Sequence, residues 1–125
     1  AGSLQISGRE IKVRREGAGV AWFDFHQLCD TPRSKADYIE LAGRYQTLLL
    51  SGVPQFDAQR LAQARRFLWL VDELYDRRVR LVLSAAVPLP QLGKNDLLEG
   101  EFERVSSRLA EMQSHVYLAQ PYRPG

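Results

Sequence analysis

The sequence predicts an α/β fold, a small sheet with a right-handed βαβ unit and an N-terminal β-hairpin, with helices packed on the sheet. Two observations predict it. A short apolar run at 47–50, an amphipathic stretch from 57 to 76 and a second apolar run at 79–84 follow one another as strand, helix and strand. Ahead of them, 9–15 alternates polar residues with Ile11 and Val13, while 20–25 is rich in β-branched and aromatic residues. Glu16-Gly17-Ala18-Gly19 separates these two runs as a turn would.

In the second strand of that hairpin, Ala21, Phe23 and Phe25 alternate with Val20, Trp22 and Asp24, so both faces carry bulk and Trp22 is expected against another layer. A short turn or helix around 27–29 leads to Pro32. Ser34 then precedes Asp37 by three residues, a variant of the capping box, and Tyr38, Leu41, Ala42 and Tyr45 give the helix an apolar stripe. Ser51-Gly52-Val53-Pro54 stops the strand at 47–50. Asp57 is the expected N-cap of the longest helix, whose stripe is Leu61, Ala64, Leu68, Val71 and Tyr75, widened by Phe67, Leu70 and Leu74. Arg77 and Arg78 close it, where cations meet the negative end of the helix dipole and contribute roughly 0.3–1 kcal/mol. A strand flanking each end of such a helix implies a right-handed crossover and parallel pairing. Pro88-Leu89-Pro90 breaks the chain, 93–100 reads as an exposed loop, and a last helix from about Glu101 buries Phe102, Val105, Leu109 and Met112.

The 125 residues suit one domain, and 45% hydrophobic with 26% charged residues is an ordinary globular composition. The domain is expected at 4–118, with Ala1-Gly2-Ser3 a cloning remnant and 119–125 a loosely held tail. No apolar run approaches the roughly 18–20 residues of a membrane span, and no signal sequence is read at the N-terminus. Seventeen basic residues against fifteen acidic ones give +2, a balance that implies no polybasic field. A single cysteine, Cys29, forms no internal disulfide and fits a reducing compartment, so a cytoplasmic protein is expected.

Motifs that would carry chemistry are sparse. A phosphate-binding loop needs a glycine-rich run ending in Gly-Lys-Ser/Thr, because backbone amides and the lysine must surround the phosphates; the sequence has none. Gly17-Ala18-Gly19 is explained by the hairpin turn. Leu68-Trp69-Leu70-Val71-Asp72-Glu73 has the form of a Walker B segment, but a working one ends a strand, and these residues lie in a helical pattern. His26 and Cys29 are too few for a structural zinc site, with His115 remote, and a Cys-His nucleophile pair has no other support. Asp24, Asp30 and Asp37 are scattered around turns, where solvated or capping roles are expected. Arg65, Arg66, Arg77, Arg78 and Arg80 form a solvated helix face or, alternatively, an interaction module for an acidic protein or nucleic acid. Arg104 and Arg108 share one helix face with Glu111 three residues beyond, so they are either ion-pair arginines or trans-acting groups on a neighbour's phosphates.

Longer runs carry a resemblance. Trp22-Phe23-Asp24-Phe25-His26-Gln27-Leu28-Cys29, Pro32-Arg33-Ser34, Leu70-Val71-Asp72-Glu73-Leu74-Tyr75-Asp76-Arg77-Arg78-Val79 and Ser107-Arg108-Leu109-Ala110-Glu111-Met112-Gln113-Ser114 resemble, in order, the C-terminal region of the ZapE/AFG-like AAA+ ATPase family. The similarity extends from Val13 to Leu118. Gly52 and Ala86 stand where the family pattern has acidic residues, and the loop 93–100 departs from it. The resemblance implies a P-loop NTPase-like fragment whose parent binds ATP and magnesium through chain N-terminal to this piece. It also implies action in bacteria at the division site on the FtsZ ring, with that nucleotide-binding part, FtsZ or another division protein, or further copies as partners. No nucleotide-contacting motif of the family maps onto the chain, so no catalytic residue is transferred. Strand 48–50, the helix to Asp76 and strand 80–84 further resemble the AAA+ stretch from Walker B to sensor one, with Ser51-Gly52 in the place of the acidic pair.

Overall fold

The computed structural model describes residues 2–114 and 121–122. It contains a two-stranded sheet, β1 (Gly2–Ile6) and β2 (Arg9–Val13), and a four-stranded sheet ordered β3 (Arg15–Gly17), β4 (Val20–Asp24), β5 (Thr47–Val53), β6 (Arg80–Ala85). The helices are α1 (Phe25–Cys29), α2 (Lys35–Arg44), α3 (Leu61–Asp76) and α4 (Glu101–Glu111).

The predicted hairpin is present only in part. The sequence pairs 9–15 with 20–25; the structure divides the first run between two sheets. β2 pairs antiparallel with β1 through Ser7-Gly8, both at positive φ (50° and 79°), as a two-residue hairpin turn requires. Only the short β3 pairs with β4, around Ala18-Gly19. Gly2 and Ser3, which the sequence places outside the fold, belong to β1: Gly2 pairs with Val13 and Ser3 with Lys12. The reason is burial. Leu4 and Ile6 alternate in phase with Ile11 and Val13, and all four are buried together, which a pairing of β2 with β4 would not achieve.

β4 and β5 run parallel, as do β5 and β6, with β3 the antiparallel edge. The crossover through α3 is the one predicted from the sequence. The second, through α1 and α2 between β4 and β5, makes the sheet more parallel than the hairpin pattern suggested. Asp57 accepts from the Gln59 amide at 3.0 Å in a 3₁₀ turn (Ala58–Arg60) that leads into α3. The helix ends where Arg78 adopts φ 60° and the Val79 amide returns to the Leu74 carbonyl at 2.9 Å.

α2 begins at the predicted capping box: the Ser34 amide donates to Asp37 Oδ2 at 2.9 Å. Asp37 is fully buried and the same oxygen takes Arg9 Nη1 at 2.9 Å, tying β2 to the helix. The core is centred on Phe56, whose ring lies 5.6 Å from Phe25 and 5.3 Å from both Phe67 and Phe102, so segments from α1, α3 and α4 converge on it. The segment 92–94 returns to the same place: Phe56 and Gly93 form a parallel bridge. His115 and most of the tail 119–125 lie outside the described residues; Tyr122, which is described, donates its hydroxyl to the Ala42 carbonyl at 2.7 Å.

Candidate functional site

In an open α/β sheet, ligands bind beyond the carboxyl ends of the parallel strands. Here those ends carry Asp24, Ser51-Gly52 and Ser84. Trp22 Nε1 donates to Ser51 Oγ at 2.6 Å, and the Gly52 amide, at φ 81°, donates to Ser84 Oγ at 3.0 Å. Asp24 is ion-paired with Arg14 at 2.9 Å, and the Arg14 guanidinium lies 4.6 Å from the centre of the Trp22 ring. The hydroxyls here tie one strand to the next, where a hydrolytic NTPase would place carboxylates to hold magnesium and orient water.

The Walker B look-alike lies inside α3, as its helical period requires, and its aspartate is engaged elsewhere. Asp72 Oδ1 receives Arg108 Nη1 at 2.6 Å and Oδ2 receives Arg104 Nη2 at 3.5 Å, so the carboxylate is shared by two arginines one turn apart on α4. Arg108 also lies 4.8 Å from the Tyr75 ring centre, and Tyr75 donates to Glu111 Oε2 at 2.7 Å. That hydrogen bond, with some burial, raises the Tyr75 phenol above its ordinary value. Sequence spacing suggested Glu111 as the partner of Arg108; in the structure Asp72 takes the arginine and Glu111 takes the tyrosine. The signal was present as Asp72 and Tyr75, three apart on one helix, against Arg104, Arg108 and Glu111 on another.

The five arginines of the other candidate surface are spread along α3 and beyond. Arg66 Nη1 donates to the Cys29 carbonyl at 3.0 Å, closing the end of α1, while Arg65 is exposed and lines a depression with Leu98, Glu99 and Glu101. Arg77 pairs with Glu73 at 3.3 Å, Arg78 Nη1 donates to the Tyr75 carbonyl at 2.7 Å, and Arg80 opens β6. Arg77 lies eleven positions beyond Arg66, about 16 Å along the axis, so the structure places the arginines in two groups.

His26 Nδ1 lies 3.1 Å from Asp30 Oδ2 on the exposed side of α1, whereas Cys29 is fully buried and its thiol is pushed up by that burial. A thiol held protonated is a poor nucleophile and ligand. Tyr38, beside it, is raised by burial and donates to the Leu28 carbonyl at 2.7 Å. Among the described residues no group of three or more His, Cys, Asp or Glu is placed to hold a metal ion. None of their helices is long and apolar enough to cross a membrane.

Parallel strands joined by helical crossovers, with helices packed on the sheet, define an α/β protein, an architecture consistent with a fragment of a P-loop NTPase. The family model of the AFG1-like ATPases matches residues 1–121. "Cell division protein ZapE" of Escherichia coli K12 is 46% identical over 123 residues, covering 98% of this chain and 33% of that protein. "Lactation elevated protein 1 homolog B" of Danio rerio is 31% identical over 146 aligned residues, covering 91% and 29%. An uncharacterized protein of Schizosaccharomyces pombe is 38% identical over 89 residues, 71% of this chain and 20% of its own length. No solved structure matches. The chain belongs to the AFG1-like ATPase family, and it spans about a third of the length of the first relatives it matches.

Proposed function

We propose that this chain is the C-terminal portion of a longer AAA+ ATPase, in which preceding chain binds ATP and magnesium and this part supplies structure and partner recognition. The observation that carries the reading is the match itself: nearly all of this chain aligns with only a third of a relative. The sequence supports it, because a Gly-Lys-Ser/Thr cradle for a triphosphate is missing from these 125 residues. A polypeptide carrying this chain with its preceding segment is expected to hydrolyse ATP in the presence of magnesium. The 125 residues alone are expected to show neither turnover nor saturable binding of magnesium-ATP. Turnover by the short chain, lost on Asp72→Asn, overturns the reading.

The bacterial relative named as a cell division protein supports a role in division, and we extend that role to the cytoplasm and the division site on the FtsZ ring. A fluorescent fusion of the full polypeptide is expected at mid-cell in dividing bacteria and in co-sediment with FtsZ filaments. Uniform fluorescence with no co-sedimentation removes that role. Within the longer protein, the ion pair with Asp72 supports Arg108 as a group that seats α4 on α3, and half-exposed Arg104 as the one of the two available to a neighbouring copy.

A further inference from the structure

Strands β4, β5 and β6 run parallel, and parallel strands are ordinarily covered on both faces. In this chain the covered face buries Ala21, Phe23, Leu48, Leu50 and Leu81 under the helices. On the other face Trp22, Leu49 and Val82 are register partners, one from each strand, and form an apolar row across the sheet. Trp22 and Leu49 are half-buried and Val82 is 57% exposed, more than any other large hydrophobic side chain described. Shallow cavities of about 220 and 270 Å³ share Trp22 and Leu49 in their lining. A row of this kind belongs to a layer interface.

We propose that this open face is the seat of the segment that precedes the chain in the longer polypeptide, an inference that rests on the reading of the chain as a C-terminal portion. Two observations select that occupant. The first is length: about two-thirds of the bacterial relative lies outside the match, ample chain to supply a second layer. The second is position. Gly2 and Ser3 line a depression with Arg14, Arg15 and Glu16; Arg15 is the register partner of Trp22, and Arg14 stacks on its ring. Chain leading into Gly2 therefore arrives at the rim of the apolar row. It covers the row with apolar side chains and completes the two-sided arrangement that parallel strands require.

Hydroxyl-radical footprinting of the unsubstituted full-length protein, read by peptide mass spectrometry, tests this. On the surface described here, Val82 is more exposed than Ile39 (40%) or Leu61 (38%), so with each rate divided by the intrinsic reactivity of that side-chain type it would be oxidised most of the three. Covering by the preceding segment reverses the order, with Val82 oxidised roughly fivefold less than both, because a covered side chain reacts only through local opening. Val82 remaining the most oxidised overturns the inference, and so does protection that disappears on dilution, since that assigns the face to a second copy. ATP turnover of the same sample separates the two levels. A sample that hydrolyses ATP with Val82 unprotected keeps the C-terminal reading and loses this face; a sample without turnover fails the parent reading whatever its footprint.

Discussion

Arg108 on α4 sets its Nη1 2.6 Å from Oδ1 of Asp72 on α3, making the aspartate of a Walker B look-alike the anchor of the last helix described. Arg104 reaches the other oxygen and Tyr75 lies beneath the Arg108 guanidinium, so the pair is a small network between two packed helices. Partly exposed pairs of this kind contribute little singly and more when networked. Asp72→Ala is expected to lower stability by about 1–2 kcal/mol, which leaves two arginines without their shared acceptor. At this chain length that corresponds to a fall of about 3–8 °C in Tm. In a urea-denaturation cycle, Asp72→Ala and Arg108→Ala should be non-additive by about 1 kcal/mol. Additive losses would remove the anchor.

How legible this was depends on the reach of each signal. The 3.6-residue stripe of α3 and the flanking apolar runs are local, and they fixed the parallel β5–α3–β6 unit. The Ser34–Asp37 cap is local too, and it is where the sequence put it. What failed was pairing. Ile11 and Val13 alternate equally well against β1 or β4; the choice is made by Leu4 and Ile6, which follow a tripeptide the sequence placed outside the fold. Arg108 had a carboxylate one turn away in Glu111 and another thirty-six residues away in Asp72, and only tertiary packing of α3 on α4 brings the second within reach. The Trp22–Leu49–Val82 row was half legible: Trp22 called for another layer, but its neighbours on the row depend on register across three strands.

Asp37 is the buried charge on which three segments meet. Its Oδ2 takes both the Ser34 amide and Arg9, and its Oδ1 has no hydrogen-bond partner among the described residues. Asp37→Ala removes the Asp37 arm of the capping box and the β2–α2 tie together and is expected to cost about 2–4 kcal/mol. Arg9→Ala leaves the cap in place but strips the buried carboxylate of its ion-pair partner, with Arg33 still nearby, and about 1–3 kcal/mol is expected. Chemical denaturation of both variants, with far-ultraviolet circular dichroism to follow α2, checks the order. Wild-type stability in Asp37→Ala would show that the charge is not engaged as described.

Gly93 is required for a steric reason. Its backbone is at φ −95°, open to any residue, yet a Cβ there would lie 2.6 Å from Cγ and 2.7 Å from Cβ of Phe102. Phe102 in turn stacks 5.3 Å from Phe56, so the ring cannot retreat without disturbing the aromatic core. Gly93→Ala is expected to destabilise by about 1–3 kcal/mol. Adding Phe102→Leu should then cost less than it does in the wild-type background, because the smaller side chain relieves the contact. A thermal-melt cycle reads the difference, and equal costs in the two backgrounds would rule out the clash.

Several buried hydroxyl and thiol groups make stability fall at high pH. Burial, then the hydrogen bond to Glu16, moves the Tyr45 phenol from its ordinary value of 10.0 up to about 12. Burial also raises the Cys29 thiol from its ordinary 9.0, and the Tyr38 phenol upward from 10.0. In each case the folded chain keeps a proton that the unfolded chain has already released. The stabilisation is therefore complete below about pH 9, and it declines as pH rises through 9 for Cys29 and from 10 to about 12 for Tyr45. Urea midpoints measured from pH 7.5 to 11 are expected to be flat at first and then to fall with increasing slope. Cys29→Ala should flatten the part of the fall that begins near pH 9, and Tyr45→Phe the part above 10, each against a lower starting stability. A midpoint that stays flat between pH 9 and 11 would mean that these groups are exposed to solvent in the folded chain and titrate there as they do in the unfolded one.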